Sequence, residues 1–220
     1  VCPEVLGTLT YRDFLSGAAE LVKTFIIDDS GDNYEKAVTI LSEIHDATDH
    51  TSAIASYHAE LEELIAAAAK VKAGVVERDE FEMGERRKLN LGHTFAHAIE
   101  WEAHNREQSM GEVNAGVHGI SHGEAVAMGM IMAAEASEYY YADDKSQPVA
   151  VQGLTKKLTE DFRRCGLPVE CPYPITTLAE AMKKDKKSEN GIVHFILIRA
   201  IGYVCIEDLP VDDVVSWISK

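Results

Sequence analysis

Positive charge is what this sequence has least of. Its 220 residues carry 21 Lys and Arg against 37 Asp and Glu, a formal net charge of −16. That argues against nonspecific binding to nucleic acid or to an anionic membrane surface, since both need clustered cations. Cysteine is nearly as scarce. Cys2, Cys165, Cys171 and Cys205 make no C-x-x-C pair and are too few for a disulfide scaffold, so reduced thiols and a cytoplasmic location are expected. Long hydrophobic runs are missing too: the most apolar stretch, Ala125 to Ala134, is interrupted by Gly129 and is too short to span a bilayer. No basic-then-apolar leader is visible. Neither G-x-G-x-x-G nor G-x-x-x-x-G-K-[ST] occurs, so the chain has no nucleotide fingerprint of its own. It opens on Val1-Cys2-Pro3 without a Met, as a fragment or a processed product would.

What is present is mostly helical. Apolar residues make up 46% of the chain, ordinary for a globular protein. Apolar positions near a 3.6-residue period mark a helix over Asp13 to Asp28. Helices are further expected over Tyr34 to His45, Ala53 to Val71 (rich in Ala, Glu and Leu), Glu85 to Glu100, His122 to Tyr140 (packed with Ala, Met and Gly) and Leu154 to Cys165. Thr10 to Asp13 reads as a capping-box start, and Gly166-Leu167-Pro168 as a stop. A short helix follows over Thr177 to about Lys184. Strand character is confined to Ile192 to Ile198 and Tyr203 to Ile206, a hairpin. His104 to Gly119, polar and without a period, is expected to be a loop. The expected fold is a mainly α single domain over 1–220 with a small β-hairpin near the C-terminus.

Chemistry concentrates between Glu82 and Glu100. Arg86, Asn90, His93 and His97 are spaced 4, 3 and 4, which on one α-helix puts them in a strip roughly 60° wide. That spacing normally carries Leu and Ile into a core. A solvated face is the plain alternative; a buried site for an anion, a metal or both is the sharper one. His93 and His97 at i, i+4 have metal-chelating spacing. His122 adds an imidazole at the start of an apolar helix in which Gly123 and Gly129 allow close approach. Glu20 and Lys23, i and i+3 among small and apolar residues, are either a surface ion pair or a carboxylate ligand beside an anion-binding amine.

Gly17 to Lys23, Lys72, Asp79 to Arg86, Leu89 to Thr94, His122 to Met130 and Asp185-Lys186-Lys187 occur in the order found in 3-dehydroquinate synthases, and the chain resembles that family over nearly its whole length. The resemblance implies the helical C-terminal domain of that fold, with an N-terminal NAD-binding α/β domain absent from this chain. It further implies a lyase of the shikimate pathway that converts 3-deoxy-D-arabino-heptulosonate 7-phosphate to 3-dehydroquinate and phosphate, using NAD and a divalent metal, zinc or cobalt. Carried over by position, the metal ligands are Glu20, His93 and His122. His97 becomes a substrate residue near the phosphate and not a ligand. Lys23, Lys72, Arg86, Asn90 and Lys186 bind the substrate's carboxylate, hydroxyls and phosphate, and Glu82 orients Arg86. Thr8, Leu9 and Asp13 match weaker positions that contact NAD.

The resemblance also implies a homodimer. Two other readings stay open at this stage: a cyclase for a different sugar phosphate, such as sedoheptulose 7-phosphate, and a non-catalytic helical metal-binding module. Arg86 and Asn90 in their expected places favour dehydroquinate over another sugar phosphate, and intact Lys72, Arg86, Asn90, His97 and Lys186 argue against a non-catalytic module. Without the missing half, the chain alone is expected to be inactive.

Overall fold

The computed structural model describes residues 3–30, 32–110, 119–142, 151–184 and 192–218. A 3₁₀ segment, Pro3–Thr8, leads into α1 (Tyr11–Ile27), followed by α2 (Asn33–Asp46), α3 (His50–Ser56) and α4 (His58–Arg78). A second 3₁₀ segment, Glu85–Asn90, precedes α5 (His93–Met110), α6 (His122–Tyr140), α7 (Leu154–Arg164) and α8 (Ile175–Lys184). The hairpin is β1 (Ile192–Ala200) with β2 (Tyr203–Pro210), and α9 (Val211–Ile218) follows it. The mainly helical fold with one C-terminal hairpin is thus present.

The core is organised around α6, whose residues Ala125 to Ala134 are buried without interruption. Its composition explains how: Ala, Gly and Met leave a thin cylinder that α1, α5, α7, α9 and β1 can all approach. Gly129 faces the backbone of Gly92, and a Cβ there would lie 3.1 Å from the Gly92 carbonyl carbon and closer still to its oxygen. On the remaining side, the Ser137 hydroxyl donates to the Ala133 carbonyl (2.5 Å) and accepts the Ile198 N–H (2.8 Å). That pins β1 to the helix and satisfies a buried backbone N–H. Strands β1 and β2 pair antiparallel with Ile196 opposite Ile206, and at their turn the Gly202 N–H donates to the Ile26 carbonyl at the end of α1.

Several expectations need correction. Glu85 to Glu100 is not one helix. The 3₁₀ segment ends at Asn90, and Gly92 takes a left-handed φ of 76° before α5 begins. The reason is packing: a Cβ at Gly92 would meet Met130 and the Val126 carbonyl at 3.0–3.1 Å, so the chain turns where α6 presses on it. Ala53 to Val71 is divided between α3 and α4 at Tyr57, and α4 continues to Arg78. The expected loop from His104 is helical through Met110, and residues 111–118, including His118, lie outside the described residues. Helix α9 had no expectation. At Thr10 the hydroxyl oxygen accepts the Asp13 N–H at 3.2 Å, which is half of the expected box. Among the described residues no helix is long and apolar enough to cross a membrane.

Candidate metal and anion site

The site forms where α1 passes the first residues of α5 and α6, because His93 opens one helix and His122 opens the other. The start of α6 is held tightly. Ser121 and Glu124 form a reciprocal capping box, and Arg12 of α1 grips the Glu124 carboxylate with two N–H groups at 3.0 and 2.6 Å. The Gly123 N–H donates to Ser16 Oγ at 2.9 Å. A Cβ at Gly123 would lie 2.6 Å from that oxygen and closer still to the Ser16 backbone. Only glycine lets His122 come this near to α1, and Glu20 lies one helical turn beyond Ser16.

Glu20, His93 and His122 each offer one ligand atom, and all three atoms lie within 4.8 Å of one another. Glu20 Oε1 sits 3.8 Å from His93 Nε2 and 3.6 Å from His122 Nε2. The other imidazole nitrogens are engaged elsewhere: His93 Nδ1 with the Leu91 carbonyl at 3.2 Å, and His122 Nδ1 with Glu100 Oε1 at 3.0 Å. A carbonyl and a carboxylate only accept, so both Nδ1 atoms carry the proton and both Nε2 lone pairs face Glu20. Glu20 Oε1 is buried and has no hydrogen-bond partner, while Oε2 accepts from Lys23 Nζ at 2.7 Å. An orphaned carboxylate oxygen facing two imidazole lone pairs fits a divalent cation of the zinc class, and the carbonyl and carboxylate behind the rings are its usual supporting shell.

The protonation states agree with that fit. Burial, helped by the nearby Lys23 charge, brings His93 down to about 4, so the ring is neutral at neutral pH. Burial pushes the Glu20 carboxyl up, but the charge and hydrogen bond of Lys23, together with the nearby His93 and His122, outweigh it and hold it below the usual value. The expected Glu20–Lys23 ion pair forms, but it is not a solvated surface pair: the Lys23 side chain is only 6% exposed. His97 lies outside the triad, its ring edge-on to His93 with centroids 5.6 Å apart.

Two cavities flank this group. The smaller, about 240 Å³, is lined by Glu20, Lys23, Lys72, Arg86, Asn90 and His93 among others. The larger, about 380 Å³, has Asn90, His93 and His97 on one side and His194 of β1 on the other. Glu82, Asn90 and His93 line both and form the wall between them. Most described cations are paired with a carboxylate; Lys70, Lys72, Arg86, Arg87 and Lys88 form no such pair among the described residues, and Lys72, Arg86 and Arg87 of these line the two cavities. In so acidic a chain, uncompensated cations gathered on a concave surface are a site for anions.

The strip therefore converges on one site, although not as one helical face. The expected pairing of Glu82 with Arg86 is also corrected. A turn at residues 80–81 and a bend at Met83 and Gly84 precede the 3₁₀ segment, with Glu82 at a left-handed φ of 56°, so no helical turn separates the two. Glu82 Oε1 accepts from Asn90 Nδ2 at 3.0 Å, and the Arg86 guanidinium donates to the Glu80 carbonyl at 2.7 Å. Asp79 organises this turn by accepting the N–H groups of Met83, Gly84 and Arg86, and those bonds, Arg86 foremost, hold its carboxyl below the usual range. Leu9 and Asp13 line a separate apolar cavity of about 240 Å³, while the Thr8 hydroxyl donates to the Val5 carbonyl. Asp185-Lys186-Lys187 lies outside the described residues. Sequence reasoning missed Asp79, Glu100, Arg87, His194 and Asp208. Glu100 had a faint signal, three residues beyond His97 on the same helix.

The family profile for the 3-dehydroquinate synthase C-terminal domain matches residues 17–188. Curated relatives include the 3-dehydroquinate synthases of Halalkalibacterium halodurans, 36% identical over 94% of this chain and 50% of that protein, and of Pyrococcus abyssi, 34% identical over 96% and 52%. The chain spans about half the length of the curated relatives it matches. Similar solved structures include a 2-epi-5-epi-valiolone synthase from Streptomyces hygroscopicus subsp. jinggangensis with NAD+ and Zn2+ bound. It is 18% identical with a TM-score of 0.67, over 99% of this chain and 54% of that one. Another is a 2-deoxy-scyllo-inosose synthase complexed with carbaglucose-6-phosphate, NAD+ and Co2+, 21% identical with a TM-score of 0.62, over 93% and 50%. At these identities the likeness is one of fold.

Proposed function

Because the chain belongs to the 3-dehydroquinate synthase C-terminal family, we propose that it forms the metal- and substrate-holding part of a 3-dehydroquinate synthase. The reaction in this reading turns 3-deoxy-D-arabino-heptulosonate 7-phosphate into 3-dehydroquinate and phosphate, within the shikimate pathway. The observation that carries it is the orphaned Glu20 Oε1 facing the His93 and His122 Nε2 lone pairs, flanked by cavities that hold unpaired cations. The substrate is doubly anionic, and the site offers cations in two neighbouring lobes.

A divalent ion, zinc or cobalt, held by Glu20, His93 and His122 would supply Lewis acidity toward substrate hydroxyl oxygens. NAD would supply reversible hydride acceptance, held by a unit outside these 220 residues together with Thr8, Leu9 and Asp13. Solved neighbours with NAD+ and Zn2+ or Co2+ support both. Lys23, Lys72 and Arg86 take the substrate carboxylate in the smaller cavity. Asn90 and His97 face the phosphate end in the larger one, with Lys186 as a further phosphate contact. Glu82 fixes the Asn90 amide so that its carbonyl oxygen and second N–H point to the ligand. Glu100 and the Leu91 carbonyl keep both ligand imidazoles in the Nε2-lone-pair tautomer. The protein works as a cytoplasmic homodimer in this reading, and this chain by itself binds metal without turnover.

The test uses the full-length natural protein that contains this chain. Phosphate release from 3-deoxy-D-arabino-heptulosonate 7-phosphate with NAD and zinc or cobalt is expected, and sedoheptulose 7-phosphate should be a poor substrate. Turnover of sedoheptulose 7-phosphate alone would overturn the substrate assignment. Unchanged metal content in Glu20→Ala, His93→Ala and His122→Ala would overturn the ligand assignment.

A further inference from the structure

We propose that Arg87 is an additional phosphate-binding residue of the larger cavity, held in place by His194 and Asp208. Arg86 and Arg87 are successive residues of a 3₁₀ segment, whose side chains leave the axis about 120° apart. They line opposite cavities: Arg86 the smaller, Arg87 the larger. Arg87 Nε donates to the Glu82 carbonyl at 3.3 Å and Nη1 donates to His194 Nε2 at 3.0 Å. His194 can accept there because its Nδ1–H is given to the Asp208 carboxylate, its cross-strand partner on β2. The chain Asp208–His194–Arg87 thus fixes the imidazole tautomer and the plane of the guanidinium together.

A guanidinium has five N–H groups, and these two contacts leave three of them for a ligand. Arg87 has no carboxylate partner among the described residues, and the cavity it lines also presents His97 and Asn90. A half-buried, oriented guanidinium with free N–H groups matches a tetrahedral oxyanion, which it can grip through two oxygens. His194 and Asp208 are positioning residues, because they reach the anion only through Arg87. The inference rests on the sugar-phosphate reading above, and it adds a binding group that hairpin residues, far away in sequence, hold in place.

The test titrates inorganic phosphate into the zinc-loaded chain and follows the imidazole resonances of His97 and His194 by 1H–15N NMR. Both should shift along one saturable curve. Arg87→Ala should raise the midpoint about 10- to 100-fold, the range for losing a charge-assisted contact. Arg87→Lys, which keeps the charge and loses the fork, should fall between. His194→Ala should weaken phosphate by a smaller factor while leaving zinc affinity unchanged, and His194→Gln, which keeps an acceptor and a donor, should recover part of the loss. An Arg87→Ala midpoint equal to wild type, or His97 and His194 resonances that ignore phosphate in the wild-type chain, would overturn the inference. Turnover by the full-length protein is a separate readout. A protein that binds phosphate through Arg87 yet makes no dehydroquinate would sink the functional reading and leave this one standing.

Discussion

Replacing Gly123 by alanine tests the link between packing and metal affinity. The new Cβ would lie 2.6 Å from Ser16 Oγ and nearer still to the Ser16 backbone, where ordinary contact begins near 3.4 Å. The obstacle is helix backbone and not the end of a flexible side chain, so relief requires α6 to back away from α1 by about 1 Å. Zinc–nitrogen bonds tolerate about 0.2 Å. His122 precedes the substituted residue directly, and Glu20 lies one turn from the clash, so the displacement falls on the ligand set itself. Overpacking of this kind costs about 1–3 kcal/mol, or about 2–10 °C in Tm for a chain of this size. Zinc affinity should fall at least as far as with loss of a supporting group, about 10- to 100-fold. Competition with a chromophoric chelator measures the affinity, and a melt with and without zinc measures the coupling. Gly17→Ala is the control, on α1 next to the Ser16 that Gly123 meets: nothing lies within 4 Å of its would-be Cβ. It should leave zinc binding unchanged and stabilise α1 by up to about 1 kcal/mol. If Gly123→Ala bound zinc like wild type at an unchanged Tm, the claim that this contact sets the ligand geometry would be wrong.

Three further outcomes are expected. Glu100→Ala removes the acceptor behind His122 Nδ1 and should weaken zinc about 10-fold with little change in Tm; equal affinity would show that the contact does not fix the ring. Ser137→Ala leaves the buried Ile198 N–H without a partner and should cost about 1–3 kcal/mol by denaturant unfolding, whereas a neutral result would mean that β1 can reseat. Burial and the neighbouring Asp161 push the Cys165 thiol up to about 12. In the native chain at pH 8 iodoacetamide should therefore spare it, and mass spectrometry should find label there only after denaturation; rapid native labelling would contradict its burial.

How far the sequence could be read depended on how local each cause was. Helix α1 was legible from its apolar period, α6 from a stretch packed with Ala, Met and Gly, and the hairpin from two apolar stretches around Gly202, all of them local signals. The break at Gly92 was not, because its left-handed backbone is imposed by Met130 and Val126, which belong to another helix. The same limit explains α9, whose eight residues are short for a periodic signal. In the site, Glu20, His93 and His122 came from a resemblance; local spacing alone would have joined His93 to His97. The groups that orient the ligands and Arg87 belong to other segments. Glu100 meets His122 across a helix pair, and Asp208 meets His194 across a strand pair, so spacing along the chain could announce neither contact; it showed at most that Glu100 shares a helix with His97.

Helix α6 unites two demands that most proteins keep apart. Its interior positions must stay small so that five other elements can reach it, and its first residue is a candidate ligand. In a saturation scan scored on activity, Gly123 and Gly129 should therefore rank beside His122, although neither offers an atom to metal or substrate. Their intolerance would look like chemistry and be sterics. The practical guide for engineering is that new specificity should be sought on the walls supplied by β1 and the 85–90 segment, where side chains can change size without moving the histidine that opens α6.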